Sequence, residues 1–251
     1  MRISIITVCY NSAVTIRDTF ESVLSQTYSD IDYIVIDGNS NDETVRIIIK
    51  YEQKFNGKMR WISEPDNGLY DAMNKGIKMA TGDVIGILNS DDLFYNSTVL
   101  ERIMSVFNNS NDIEAVYADL YYVSKTNTSN IVRKWITGEQ KLFKTGWHPA
   151  HPALYIKKDV YDKYGLFNLQ YKLASDFEIM LRFIDKYKIK MIYFHEILVK
   201  MRIGGKTNKN IRNIFLQNIE ILKAFNENKI HVNPLTYSFK RIFSKLLQYK
   251  K

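Results

Sequence analysis

Cysteine is all but missing from this sequence: Cys9 is the only one among 251 residues. A single thiol excludes a disulfide scaffold and fits a reducing compartment. Long hydrophobic runs are missing too. None approaches the roughly 18 apolar residues of a membrane span, and the opening Met1-Arg2-Ile3-Ser4 lacks a signal-peptide profile. The expectation is a soluble or peripherally attached chain in the cytoplasm. There is no Gly-x-x-x-x-Gly-Lys-[Ser/Thr] loop, no Gly-x-Gly-x-x-Gly fingerprint and no Gly-x-Ser-x-Gly elbow. Their absence counts against a P-loop enzyme, a dehydrogenase and an α/β-hydrolase. With four histidines and no His-Glu-x-x-His, a zinc site is not expected.

What is present is a core-forming composition: 45% hydrophobic, 25% charged and 13% aromatic, which is neither disordered nor fibrous. The net charge of +8 is lopsided. Residues 206–251 hold ten Lys and Arg against Glu220 and Glu227, which leaves 25 basic and 25 acidic residues in 1–205. A nucleic-acid binder would carry its basic surface on the folded body, so no nucleic-acid partner is expected. The chain is divided here into a body, 1–205, and a helical basic tail, 206–251.

Along the body, strand and helix patterns alternate. Buried-strand runs occur at Ile3–Val8, Tyr33–Ile36, Met59–Ile62 and Val84–Leu88. Between them lie helical spacings: Ile16, Phe20, Val23 and Leu24, then 42–55, then 69–80. This predicts an open, mostly parallel α/β sheet. Beyond residue 115 the pattern predicts strands at 116–123, 151–156 and 191–194 and a helix at 176–187, with 124–130 a loop. Three strands run into polar turns: Cys9-Tyr10-Asn11, Asp37-Gly38-Asn39-Ser40 and Asn89-Ser90-Asp91-Asp92. Ligands of open α/β sheets bind outside the carboxyl ends of the strands, so these polar groups are expected on one rim.

Each candidate has a structural alternative. Asp91 and Asp92 repel one another at the end of an apolar strand, a penalty that an oxygen-ligated divalent cation would remove; a helix N-terminus ahead of 97–107 is the competing explanation. Asp37 follows a buried strand and could accept hydrogen bonds from a base or ribose, whereas Asp42 suits an N-cap. Asp71 and Asn74 share a face at the start of a helix, where anions are favoured, or are surface residues. His151 is either a metal or phosphate contact or a hydrogen-bonded structural histidine. Asp176 is either a first-turn acid that complements the helix dipole or a general base.

In sum these motifs resemble the family 2 glycosyltransferases, inverting nucleotide-sugar enzymes with the GT-A fold. Ser4–Asn11 resembles the first strand and Tyr-Asn turn, and Gln26-Thr27-Tyr28 the tripeptide after the first helix. Asp37-Gly38-x-Ser40-x-Asp42-x-Thr44, Gly68-x-Tyr70-Asp71-Ala72-Met73-Asn74-Lys75-Gly76 with Ala80-x-Gly82-Asp83, and Leu88–Asp92 follow in order. His151-Pro152, Gly165-x-Phe167, Ala174–Glu178 and Gly204-Gly205-Lys206-Thr207 resemble the acceptor-side half and its glycine-rich loop. The resemblance implies a nucleotide-sugar half at 1–110 and an acceptor half at 111–205. Thr7, Tyr10 and Asp37 would hold the nucleoside, with Asp71 lining that pocket. Asp91 would sit near the ribose, Asp92 would bind Mn²⁺ or Mg²⁺ across the diphosphate, and Asp176 would be the catalytic base. It further implies a donor among UDP-galactose, UDP-N-acetylglucosamine and UDP-glucose, and a saccharide acceptor, lipid-linked as in bacterial surface polysaccharide synthesis such as that of O-antigen.

In the tail, residues 207–228 place Ile211, Ile214, Phe215, Ile221, Leu222 and Phe225 at helical spacing, and 235–251 align Leu235, Phe239, Ile242, Phe243 and Leu246. A basic amphipathic helix fits an anionic membrane surface, here the inner face of the cytoplasmic membrane. A helix docked on the body with a solvated basic face is the alternative. Two other functions compete with the glycosyltransferase. A nucleotidyltransferase would carry a Gly-rich, basic first loop, which residues 7–14 lack. An inactive nucleotide-binding or membrane-adaptor protein would not need Asp92 and Asp176.

Overall fold

A computed structural model describes residues 1–110, 112–204 and 211–247, with side chains described from 212 to 241 in the last stretch. The Gly205-Lys206-Thr207 part of the glycine-rich loop, and the side chains of Ile211, Ile242, Phe243 and Leu246, lie outside it. The first half is an all-parallel layer: β1 (Ile3–Cys9) lies between β2 (Ile31–Asp37) and β4 (Val84–Ile87), and β3 (Met59–Ser63) flanks β2. Every residue of β1 and β2 is buried, because helices cover both faces. Successive side chains point to opposite sides. Ile5 joins α1 (Ile16–Leu24), α2 (Thr44–Lys54) and α4 (Val99–Asn109) through Phe20, Ile48 and Met104. Ile6 joins α3 (Leu69–Met79) through Met73 and Ile77.

The sheet continues with β5 (Leu93–Phe94), β6 (Ala115–Val123), β7 (Ile131–Trp135), β8 (Leu154–Lys157) and β9 (Met191–Arg202), in the order β3-β2-β1-β4-β8-β6-β9-β5 with β7 on β6. β8 runs antiparallel to β4 and β6, whereas β6 and β9 are parallel. Three expectations change here. His151-Pro152 does not lie in a strand but in a 3-10 turn, His151–Ala153, ahead of β8; a proline cannot donate to a sheet ladder. The strand predicted at 191–194 runs on to Arg202, past register shifts opposite Ala118 and Asp119. Strand β7 forms at a sheet edge with both of its first residues exposed, so no buried face marked it in the sequence.

Helices α5 (Lys158–Tyr164) and α6 (Ser175–Met180) follow, the latter widening into a π-helical turn at Leu181–Lys186. The tail forms α7 (Ile211–Glu227) and α8 (Pro234–Leu247). Their inner residues Ile221, Ala224, Phe225 and Tyr237 enter the same core as Phe177. Ring contacts run Phe177–Phe225 at 5.5 Å and Phe225–Tyr237 at 4.9 Å.

One buried carboxylate ties the parallel strands together near their amino ends. Asp32 accepts hydrogen bonds from Ser4 Oγ (2.8 Å), Thr81 N and Oγ1 (3.0 and 2.9 Å) and Arg60 Nη2 (2.8 Å). Burial alone would raise its pKa, but these donors outweigh burial and hold it below the ordinary carboxylate value. With the native pKa depressed, its contribution is complete above the unfolded value and is lost as pH falls through the native one. Asp32→Asn is expected to lower the unfolding free energy by about 2 kcal/mol at neutral pH. In denaturant titrations its deficit against wild type should shrink as the pH is taken below about 4.

Candidate active site

The carboxyl ends of β1, β2 and β3 are in register, with Cys9 beside Asp37 and Asp37 beside Ser63. Asp37 is wholly buried and accepts from Ser40 N (2.9 Å), Ser40 Oγ and Ser63 Oγ (2.7 Å). The Cys9 thiol lies 3.5 Å from it, and burial together with that carboxylate pushes the thiol pKa far up, so it stays protonated and unreactive. Two asparagines with left-handed backbone, Asn11 (φ 51) and Asn39 (φ 63), turn the chain here, as their short polar side chains allow. Asn11 N donates to Ser40 Oγ at 2.8 Å, and Asn41 N to Asn11 Oδ1 at 2.9 Å. Tyr10 stands 61% exposed beside Gly38. A Cβ on Gly38 would lie 2.4 Å from Asp66 Oδ2, so glycine lets the β3–α3 turn close against the β2 turn. Asp71 accepts from Asn67 N at 3.0 Å and fixes that turn.

Thr7 is not on this rim. Its hydroxyl donates to Leu88 O at 2.8 Å, accepts from Tyr33 OH at 2.9 Å and is fully buried. The reason is strand alternation: Thr7 faces the side of Ile5, inside the core.

Ser12 and Ser90 hydroxyls meet at 2.9 Å and join the β1 rim to the acidic turn after β4. The two aspartates of that turn differ. Asp92 is 1% exposed and accepts from Arg202 N (3.2 Å) and Asn89 Nδ2 (3.3 Å). Burial, then the charge of Asp91, raise its pKa well above the ordinary value. Asp91 is only half-buried; burial raises its pKa too, against the pull of Arg202 and His151. Asp92, expected to bind the metal, is thus the enclosed member of the pair, and Asp91, expected near the ribose, is the more exposed one, within electrostatic reach of His151. Arg202, at the end of β9, fastens the turn by donating to Asp91 O at 2.7 Å and pairing with Asp18.

Across from Asp91 stand His151 and Asp176. His151 Nδ1 lies 4.0 Å from Asp176 Oδ2. Its Nε2 is buried and, among the described residues, has no hydrogen-bond partner. Burial lowers its pKa against the opposing pull of Asp176 and Asp91, so at neutral pH the ring is uncharged. Asp176, in the first turn of α6, accepts from Phe177 N (2.8 Å) and Tyr70 OH (3.1 Å). Tyr70 is held protonated by burial and by Asp176. Since Tyr70 begins α3, this bond joins the acceptor-side acid to the donor-side rim. Tyr10, Asp37, Asp71, Asp91, His151 and Asp176 thus share one end of the sheet.

Among the described residues, no three His, Cys, Asp or Glu side chains converge closely enough to hold a metal ion unaided. The chemistry still suits a hard cation that arrives with phosphate oxygens, which takes only one or two protein groups. Asp91 and Asp92 are adjacent carboxylates desolvated by burial. The buried Asn89 Oδ1 and His151 Nε2 are unpartnered among the described residues.

Sequence reasoning missed Arg202, Ser90 and the role of Tyr70. Tyr70 carried a signal, because it stands in the Gly68–Gly76 motif. Arg202 carried none, because its target is 110 positions away in the chain.

The family model for Glycosyl transferase family 2 matches residues 4–165. A PGL/p-HBAD biosynthesis glycosyltransferase of Mycobacterium bovis is 26% identical over 220 residues, covering 86% of this chain and 83% of that one. An uncharacterized glycosyltransferase of Mycobacterium tuberculosis is 31% identical over 182 residues, 72% of this chain and 68% of that one. In fold, the chain resembles S. aureus TarS 1–349 in complex with UDP (TM-score 0.63, 17% identity, 98% of this chain and 71% of that one). It also resembles a Pyrobaculum calidifontis mannosyltransferase in complex with GDP-Man and Mn²⁺ (TM-score 0.69, 14% identity, 98% and 74%).

Arg202→Leu removes the clamp on the acidic turn and leaves the Asp91 carbonyl without that donor. Since Asp18 is half-exposed, the expected loss of unfolding free energy is about 2 kcal/mol, larger than that of Asp18→Asn, as read from chemical denaturation.

Proposed function

The chain belongs to glycosyl transferase family 2, and on that footing we propose that it transfers a hexose or N-acetylhexosamine from a UDP-sugar to a saccharide hydroxyl with inversion. The observation that carries this is that His151 stands 4.0 Å from Asp176 and within electrostatic reach of Asp91, at the end of the sheet that also carries Asp37. Asp37 and the half-exposed wall made by Tyr10 would receive the uridine, with Asp71 and Asp66 behind it. Asp91, backed by Asp92 and by His151 Nε2, would hold Mn²⁺ or Mg²⁺ together with the diphosphate. When bound, that cation supplies charge neutralisation for the departing nucleoside diphosphate.

The protein's own part in the step is positional and acid–base. A sugar hydroxyl is a poor nucleophile, so Asp176 takes its proton as the new C–O bond forms at the anomeric carbon and the bond to the phosphate oxygen breaks. A single displacement converts an α-linked donor into a β-linked product. Tyr70 OH and Phe177 N fix one oxygen of Asp176, and Oδ2, 4.0 Å from His151 Nδ1, would take the acceptor proton. Holding donor and acceptor in line contributes the entropic share of the rate. UDP-galactose, UDP-N-acetylglucosamine and UDP-glucose are the donors to try, with a lipid-linked saccharide as acceptor. The relatives that bind UDP or GDP-Man support a nucleotide-sugar donor.

Asp176→Asn is expected to reduce kcat by about a thousandfold while the calorimetric affinity for UDP stays within about twofold; retained turnover would remove it as the base. Tyr70→Phe should reduce kcat about tenfold with an unchanged donor KM, because it touches only the orientation of the base. Asp91→Asn should weaken UDP-sugar binding in the presence of Mn²⁺ more than Asp92→Asn does. A metal requirement would be read as loss of diphosphate release in chelator across a nucleotide-sugar panel.

A further inference from the structure

Helices α7 and α8 have two faces of opposite character. The inner face enters the core through Ile221, Ala224, Phe225 and Tyr237. The outer face leaves large apolar groups in water: Phe215 (63% exposed) and Ile219 (48%) on α7, and Leu235 (83%) and Phe239 (73%) on α8. Each pair is four residues apart and so lies on one stripe of its helix. Arg241 on α8 bonds Gln217 and Asn218 on α7, so the two helices are neighbours. Exposed apolar groups of this size on two neighbouring helices mark a surface that meets something.

The charge indicates what it meets. The segment 206–251 contains only two acids, and both are already engaged. Glu220 accepts from the backbone N–H groups of Lys172, Leu173 and Ala174 at 2.9, 2.8 and 2.9 Å. Glu227 accepts from Tyr171 OH and pairs with Lys223. No acid of this segment is left to offset Arg212 and Lys240, which are exposed. A second copy of the chain would bring the same cationic face against itself. An anionic bilayer supplies both complements, phosphate for the bases and hydrocarbon for the rings.

We propose that the outer face of α7 and α8 docks on an anionic lipid surface, with Leu235 and Phe239 entering the headgroup–acyl boundary. The ring contacts Tyr237–Phe225–Phe177 then connect the docked helix to α6, which carries Asp176 in its first turn. Only this last consequence, a lipid-borne acceptor delivered beside the base, rests on the proposed transfer reaction; the docking itself does not.

The test is co-sedimentation of the intact protein with vesicles of phosphatidylcholine alone or mixed with phosphatidylglycerol. Wild type should pellet with the anionic vesicles only, and less so as salt rises. The L235E/F239E variant should partition at least about tenfold more weakly, and L235S/F239S should weaken in the same direction. Both should keep the wild-type unfolding midpoint and UDP affinity, since these side chains touch neither core nor rim. Equal partition of wild type and variant, or no binding to anionic vesicles, would overturn the docking. So would a lipid-free dimer, seen by light scattering, that L235E/F239E dissolves. Vesicle binding without any sugar transfer would leave the docking standing and refute the proposed reaction instead.

Discussion

The site depends on how negative charge is tolerated at the end of a buried sheet. Asp37, Asp91, Asp92 and Asp176 lie along one rim, and burial works against ionising the middle two. The protein answers each differently. Asp37 is surrounded by hydroxyl and amide donors. Asp92 receives a backbone N–H from β9, and the guanidinium of the same residue, Arg202, grips the carbonyl of Asp91. Asp91 is the more exposed of the two, and its pKa is raised less than that of Asp92, with Arg202 and His151 pulling against its burial.

The first half of the fold was legible because its physics is repetitive. A parallel strand covered on both faces must be a short apolar run, and a crossover helix must show one apolar stripe, so β1–β4 and α1–α3 could be read within one or two residues. The second half was less so. β7 lies at an edge and β5 is two residues long, and neither carries a periodic signal. β9 is interrupted in register and only partly buried, which hid most of its length.

Within the site, the sequence placed residues on the rim more reliably than it oriented them. Thr7 and Asp92 were both expected to face ligand, and both point inward. Thr7 lies inside a strand whose neighbouring Ile6 and Val8 are also core, two residues short of the rim, whereas Asp92 follows the more exposed Asp91 in a tight turn where adjacent positions diverge. Position along the chain decides which end of the sheet a residue reaches. Its side-chain direction depends on partners such as Leu88, Tyr33 and Arg202, and the last of these cannot be found from local spacing.

The acids that differ in environment can also differ in task. Asp91 and Asp176 both lie within electrostatic reach of His151, yet one ends a β-strand turn and the other starts a helix. Asp176 has one oxygen fixed by a phenol and an amide while its other oxygen lies 4.0 Å from His151 Nδ1, as the proposed proton acceptor would require. Asp91 has a neighbour of like charge and an uncharged imidazole within electrostatic reach, as the proposed cation contact would require. If burial did not keep His151 neutral, its charge would satisfy both carboxylates at once and leave neither for substrate. An uncharged His151 would leave both carboxylates their charge for the two roles proposed for them.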